Sequence, residues 1–298
     1  AFDQGEDMKV LKQGMIAVAL AVSTVAFACS IDGKDGFLPE NNMYIPANIK
    51  SAGGISEAQF NSVIDQISGH YSPIIESMGA KLEVIRNWQD GTVNAYAQQI
   101  GKTWRVSMFG GLARHNTITA DGFALVLCHE IGHHIGGAPK KNSWGGISWA
   151  SNEGQADYFA TLKCLRRAWM DDDNAAIIAQ MDVPAAVKEQ CGAQWTWNRD
   201  YNICIRGAMA GVSVSNLFHD GTDKPAPSVT TPDPKVVRTT NHNHPEAQCR
   251  LDTYFQGALC HIDHTQDVSM TDEFVGTCNT KTGDATGVRP LCWFKPAE

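Results

Sequence analysis

The sequence is short of positive charge. Lys and Arg number 24 against 32 Asp and Glu, a formal charge of -8. No basic stripe is visible, so a nucleic-acid partner is not expected. Beyond residue 28 no apolar run is long enough to cross a bilayer. There is no internal repeat, which argues against a solenoid. What remains is 298 residues, 43% hydrophobic and 19% charged. That balance excludes a wholly disordered or collagen-like chain. The length suits one large domain or two small ones with a substantial core.

The first residues read as a targeting segment. Lys9 and Lys12 precede an apolar run over 15–28, which ends in Ala26-Phe27-Ala28, a small-x-small cleavage pattern. This is the order of a secretory signal peptide, with Met8 as the start and AFDQGED upstream of it. The expectation is an exported protein, periplasmic or secreted. Cys29 follows the cleavage pattern, where a bacterial lipoprotein carries its lipid, although Phe27 stands where a small residue is usual. Any membrane contact would run through that lipid, and simple secretion is the alternative. Nine cysteines, seven of them after position 160, predict a disulfide-stapled second half. The odd total leaves one cysteine over, with Cys29 and Cys128 the candidates. Cys128 reads as a small packing residue on a helix face.

Residues 29–55 look extended. Ser56 with Gln59 forms a capping box for a helix to about residue 77, in which Pro73 should kink or break the run. Alternating residues over 81–109, with turn chemistry at Asp90-Gly91 and Gly101-Lys102, predict a small antiparallel sheet. Asp121 can cap a helix to about Ile135 that stops at Gly136-Gly137. Residues 138–150 read as a loop, whose Trp-containing stretch 144–149 either lines a pocket or packs. Further helical patterns cover 151–170, 174–181, 184–191 and 199–219. Residues 221–240 are an exposed loop rich in Pro and Thr. A last helix starts at Pro245 and runs to about Leu259. The domain expectation is a body over 56–262 and a cysteine-containing tail over 263–298.

The chemistry sits in His129-Glu130-Ile131-Gly132-His133. Histidines four apart share one helical face, so both rings can reach one metal ion. Glu130 lies beside that site and can take a proton from metal-bound water. His134 is about 100° round the helix and reads as a packing or supporting residue. A catalytic zinc takes three protein ligands and a water. Pro139 stands where a longer Met-turn motif would need its third histidine. The better third ligand is Glu153, in the first turn of the next helix. Asp157, one turn on, can accept the N–H of a ligand histidine and fix its tautomer.

Glu-x-x-x-Asp after His-Glu-x-x-His resembles the gluzincin pattern. Further segments are similar to the CAAX-prenyl-protease family, metallopeptidase family 48, which includes HtpX- and BepA-like members. They are Val93-Asn94-Ala95-Tyr96 followed by Trp104-Arg105-Val106 and Gly111-Leu112; LVLCHEIGHHIGG; NEGQADYFA; and His244-Pro245-Glu246-Ala247-Gln248-Cys249-Arg250. The resemblance spans about 56–260. It implies an α+β, mainly helical, zincin-like metallopeptidase domain with a small antiparallel sheet and a disulfide-stapled C-terminal region. It implies Zn2+ and a polypeptide substrate, extended or unfolded, pairing with an edge strand at Asn94 and Ala95. It also implies that His244 lies near the metal, as a cap or a contact to the reacting carbonyl, and that Arg250 supports the site. Read without the family, His244 could equally cap a helix, and His242 competes with it. The family's membrane helices and helical-repeat domain have no counterpart here, so substrate and biological role do not transfer.

The expected function is therefore a zinc endopeptidase acting on envelope or extracellular proteins. His129, His133 and Glu153 hold the metal, Glu130 is the base, and His244, or less favourably Tyr158, stabilises the oxyanion. The alternative is a self-inhibited or non-proteolytic zinc-dependent binding factor. A purely structural zinc site fits less well, because such sites close with four Cys or His ligands.

Overall fold

The order of elements follows from where the chain can bury apolar faces without stranding backbone groups. In a computed structural model, residues 26–27, 36–48, 53–143 and 146–297 are described. Residues 1–25, where a signal peptide is expected, together with Cys29 and Trp144, lie outside them. The chain runs β1 (Ala26–Phe27), α1 (Glu57–Ser77), β2 (Lys81–Asn87), β3 (Ala95–Ile100), β4 (Thr103–Phe109), α2 (Gly110–Arg114) and α3 (Ala120–Ile135). It continues through β5 (Lys140–Ser143), β6 (Gly146–Ser151), α4 (Glu153–Phe159), a π-helical turn (Ala160–Cys164) and α5 (Leu165–Ala168). Then come α6 (Asn174–Ile178), α7 (Ala185–Gln194), α8 (Asn198–His219) and α9 (Ala247–Leu259). The fold is mixed α+β, about 44% helical, with a small sheet. Among the described residues no helix is long and apolar enough to cross a membrane.

The capping box at α1 is present: Gln59 N donates to Ser56 Oγ, and Ser56 N donates to Gln59 Oε1. Pro73 does not break the helix. Its ring and Gly69 are exposed, so the carbonyl that loses its partner can turn to water. Phe60, Ile64, Ile67, Tyr71 and Ile75 anchor the buried face on both sides of it. Burying that face outweighs one missing backbone bond.

The sheet differs from the all-antiparallel expectation. Its order is β1-β3-β4-β2. β3 and β4 form the predicted hairpin, turning at Gly101, whose φ of 59° suits glycine. β2 and β4 are parallel, Lys81 opposite Thr103 through Asn87 opposite Phe109. Asp90 and Gly91 therefore belong to a crossing segment rather than a two-residue turn. The Arg114 guanidinium holds that crossing by donating to the carbonyls of Ile45, Trp88 and Asp90. Satisfying three part-buried carbonyls from one fork stabilises a route that alternation alone does not reveal.

α3 is the central element, and every residue from Gly122 to Ile135 is buried. Its cap is Thr119, whose hydroxyl accepts from Gly122 N at 3.0 Å. Asp121, the expected cap, instead pairs with Arg206 of α8 at 2.7 and 3.0 Å. The stretch expected as a loop at 138–150 is a β5–β6 hairpin. α9 starts after Glu246, so Pro245 precedes the helix rather than opening its first turn.

Four disulfides join Cys128–Cys164, Cys191–Cys204, Cys249–Cys292 and Cys260–Cys278. Cys128 is thus bonded, contrary to its expectation as a lone packing residue. One helical turn carries both its packing face and the reach to Cys164, which adjacency to His129 concealed. The tail is tied down: Trp293 is buried against Gly154, where an added Cβ would lie 2.2 Å from the indole.

Candidate metal centre

α3 presents His129, Glu130 and His133 together, and α4 brings Glu153 to them. Their approach depends on small residues. A Cβ on Gly132 would lie 3.1 Å from the Ala156 carbonyl oxygen, so glycine lets the two helices close. Asn152 caps α4 by accepting from Gln155 N at 2.8 Å. That fixes Glu153 in the first turn, beneath the two rings.

The ring nitrogens are sorted by their outer partners. His129 Nδ1 lies 2.7 Å from Asp157 Oδ1, and His133 Nδ1 lies 2.8 Å from the Ser151 carbonyl oxygen. Both Nδ1 atoms donate, which leaves both Nε2 atoms as the inward-facing positions. His129 Nε2 is 3.2 Å from Glu153 Oε2, and His133 Nε2 is 3.7 Å from Glu153 Oε1. All three side chains are fully buried. His129 Nε2 and Glu153 Oε2 make no hydrogen bond, while Glu153 Oε1 is paired with Lys141 Nζ at 2.6 Å. His129 Nε2, His133 Nε2 and Glu153 Oε2 converge in a dry site, an arrangement in which a cation can complete the acceptors left over. Two imidazoles and one carboxylate form a donor set that suits zinc. Ligand atoms of His129, Glu130 and His133 also lie within metal-ligand spacing of one another; the other two such groups among the described residues each include disulfide cysteines, so they offer no thiolate.

Electrostatics agree with the geometry. Burial opposes a charge on His129, yet Asp157 and Glu153 push its pKa up to about 9. The cluster strongly prefers positive charge there. Burial raises Glu130 to about 7, the range of a working base. Burial pushes His133 well below its usual value. Burial also works against Glu153 ionising, but His244, Lys141 and His133 hold it well below the usual carboxylate range.

Asp157 is a buried hub. Besides His129 it accepts from Arg250 Nε at 2.8 Å, Arg250 Nη2 at 2.7 Å and Tyr254 Oη at 2.8 Å. Arg250 and Asp157 are therefore brought together with the centre, and Arg250 meets the ligand His129 through Asp157. His244 Nε2 lies 3.4 Å from Glu153 Oε2. His242 turns instead to the Asn152 side chain at 3.4 Å. Tyr158 is away from the centre, its hydroxyl donating to the Gly287 carbonyl. That corrects the expectation of Tyr158 as a second oxyanion donor; its helical face points to the tail. His134 is stacked between Trp104 and Trp149 and packs, as does Trp149 of the Trp-containing stretch.

Asn94 and Ala95 stand at the start of β3, which is an inner strand between β1 and β4, and residues 37–38 cover the stretch that β1 does not reach. Asn94 binds the Leu38 backbone twice, accepting from its N at 2.9 Å and donating to its O at 3.1 Å. Phe37 N donates to the Ala95 carbonyl at 2.9 Å. Sequence reasoning missed three participants. Lys141 Nζ reaches Glu153 Oε1 at 2.6 Å. Tyr254 stands four residues after Arg250 on one helical face, a spacing that could have flagged it. Phe37 has its ring 4.9 Å from that of His129, edge to face, and nothing in its local sequence marks it.

Compared with protein-family models, curated proteins and solved structures, the chain matches none.

Proposed function

We propose that this protein is a zinc-dependent endopeptidase of gluzincin type, with a zincin-like catalytic domain resembling metallopeptidase family 48. The observation that carries the proposal is the convergence of His129 Nε2, His133 Nε2 and the Glu153 carboxylate in one buried site. These three residues would hold the metal. Bound there, zinc supplies Lewis-acid polarisation of a peptide carbonyl and a water acidified toward neutral pH.

The chain's own groups carry the proton and the substrate. Glu130, with its pKa near 7, takes the proton of the attacking water and passes it to the leaving amine. His244 Nε2 holds the carbonyl oxygen as charge develops on it; it already sits 2.9 Å from a peptide carbonyl, that of Gly36. Asn94 and Ala95 bind substrate backbone by strand addition. Arg250 and Asp157 keep His129 in the tautomer that leaves Nε2 inward. Four disulfides fit an oxidising compartment, and with it the exported protein expected from the sequence.

The covered stretch of β3 favours one second reading, a self-inhibited factor that binds more than it cuts. Zinc content and casein cleavage separate the two, measured on wild type, Glu130→Gln and His244→Ala. Zinc with cleavage that vanishes in Glu130→Gln supports the peptidase. Zinc with tight peptide binding and no turnover in any variant supports the binding factor. No zinc would overturn both.

A further inference from the structure

Residues 36–38 lie against the centre, the Phe37 ring on His129 and the Gly36 carbonyl on His244. Three contacts hold their backbone to the start of β3 and the residue before it: Phe37 N to Ala95 O, and both Leu38 backbone groups to the Asn94 side chain. Phe37 thus meets Ala95, and Leu38 meets the Asn94 side chain. The Gly36 carbonyl oxygen is 2.9 Å from His244 Nε2. The Phe37 carbonyl accepts from Arg250 Nη1 at 3.0 Å. The Phe37 side chain is fully buried. It packs edge to face on His129, 5.1 Å from the Phe218 ring, with the Arg250 guanidinium 4.5 Å over its face. The segment then bends, Gly36 N donating to Leu38 O at 3.0 Å. Gly36 has no room for a side chain: a Cβ would lie 2.3 Å from Ala95 O and 2.5 Å from Asn94 Oδ1.

We infer that the peptide bond between Gly36 and Phe37 is the chain's own substrate, cut within the same molecule. The inference rests on the peptidase function proposed above. Of the bonds in this segment, this one has its carbonyl on His244, next to Glu153. The residues on either side are read by shape, a glycine against Asn94 and Ala95 and an aromatic ring in the apolar pocket beside His129. In the step, a water oxygen bonds to the Gly36 carbonyl carbon and the bond from that carbon to Phe37 N breaks. Gly36 becomes a C-terminal carboxylate. Glu130 carries the water proton to the Phe37 nitrogen, which becomes a new amino terminus. No oxidant or reductant takes part. Cleavage leaves Phe37, as a new amino terminus, and Leu38 on Ala95 and Asn94, and an aromatic residue after the cut bond is the expected preference for a second polypeptide.

The test uses the full chain with its disulfides formed and zinc bound. Intact mass and amino-terminal sequencing are followed over time, with casein cleavage measured in parallel. Wild type should yield a product beginning at Phe37, at a rate unchanged by tenfold dilution. Glu130→Gln should remain uncut, with the Phe37 and Leu38 amides protected from hydrogen exchange. Gly36→Val and Phe37→Asp, which lie outside the residues that do the chemistry, should each slow the cut at least a hundredfold. Casein cleavage by a wild type whose bond at 36–37 stays intact would overturn self-cleavage and leave the peptidase standing. A cut whose rate rises with concentration would overturn the intramolecular step. Exchange of the Phe37 and Leu38 amides as fast as free peptide in Glu130→Gln would overturn the docking itself. Failure of both casein cleavage and self-cleavage in zinc-loaded protein would instead remove the peptidase reading.

Discussion

Arg250 and Asp157 face each other through two hydrogen bonds, Nε to Oδ2 at 2.8 Å and Nη2 to Oδ1 at 2.7 Å, with both side chains wholly buried. The Asp157 carboxylate also fixes His129 Nδ1. Under the proposed zinc reading, metal affinity and fold stability share one carboxylate. Arg250→Met leaves a buried carboxylate with its main countercharge gone. The expected loss is about 3–5 kcal/mol of stability, the usual cost of breaking a buried pair from one side. Zinc affinity should fall by about 10- to 100-fold, as for other lost partners of a ligand histidine. Denaturant titration and competition with a chelator measure the two losses. Arg250→Lys should not rescue either, because an ammonium cannot bridge both oxygens in the same plane.

The closeness of α3 and α4 rests on Gly132. In Gly132→Ala the new methyl meets the Ala156 carbonyl oxygen at 3.1 Å, Ala156 Cα at 3.2 Å and Phe159 Cδ1 at 3.2 Å. Two of these contacts are backbone, which cannot turn aside. We expect α4 to shift outward and the stability to fall by about 1–3 kcal/mol, the range for overpacking. Because Glu153 and Asp157 both ride on α4, zinc affinity should fall as well. A variant that lost stability but bound zinc as wild type does would show that Glu153 does not hold the metal.

The elements that could be read from the sequence are those whose cause is local. The α1 capping box, the histidine pair four apart, the first-turn Glu153 and the hairpin at Gly101 all follow from spacing within a few residues. What escaped depends on distant partners. Pro73 survives inside α1 because residues far along the chain bury the helix around it. The parallel β2–β4 pairing depends on Arg114 reaching three carbonyls across the fold. Asp121 looked like a cap because its pairing with Arg206 lies 85 residues away. Lys141 and Phe37 reach the centre from segments with no chemical motif, so local spacing carried no sign of them. His244 was separable from His242 only once the loop before α9 had a direction.

Lys163 gives the fold a measurable pH dependence away from the centre. It is buried in the π-helical turn and donates to the Asp263 carbonyl at 2.6 Å. Burial, with Arg166 adding to it, pushes its pKa down to about 7. Between that value and its unfolded value near 10.4, the unfolded chain binds more protons, so stability from this group rises with pH across that window. It is lost as pH falls toward 7. From pH 7 to pH 9 the gain is about 2 kcal/mol. Lys140, lowered to about 8 by burial, works in the same direction. Lys163→Met should flatten the rise in denaturant-derived stability between these pH values, whatever it does to stability at one pH. An unchanged slope would mean that Lys163 is charged in the folded protein at pH 9.

The disulfide between Cys128 and Cys164 separates fold stability from metal binding. It ties α3 to the end of the π-helical turn across 36 residues of chain, directly beside His129. Removing a link of that loop size should cost about 3–4 kcal/mol by restoring freedom to the unfolded chain. The ring of His129, however, is aimed by Asp157, and that of His133 by the Ser151 carbonyl. Neither contact passes through the sulfur atoms, and α3 is buried on every side. The double variant Cys128→Ala with Cys164→Ala should therefore unfold at lower denaturant while binding zinc within about threefold of wild type at low temperature, where the folded state still dominates. Arg250→Met should show the opposite emphasis, with affinity falling even where the protein is fully folded. If the cysteine variant instead lost zinc in its folded state, the position of α3 would depend on the covalent tie rather than on packing, and the account of the centre through Asp157 and Ser151 would be incomplete.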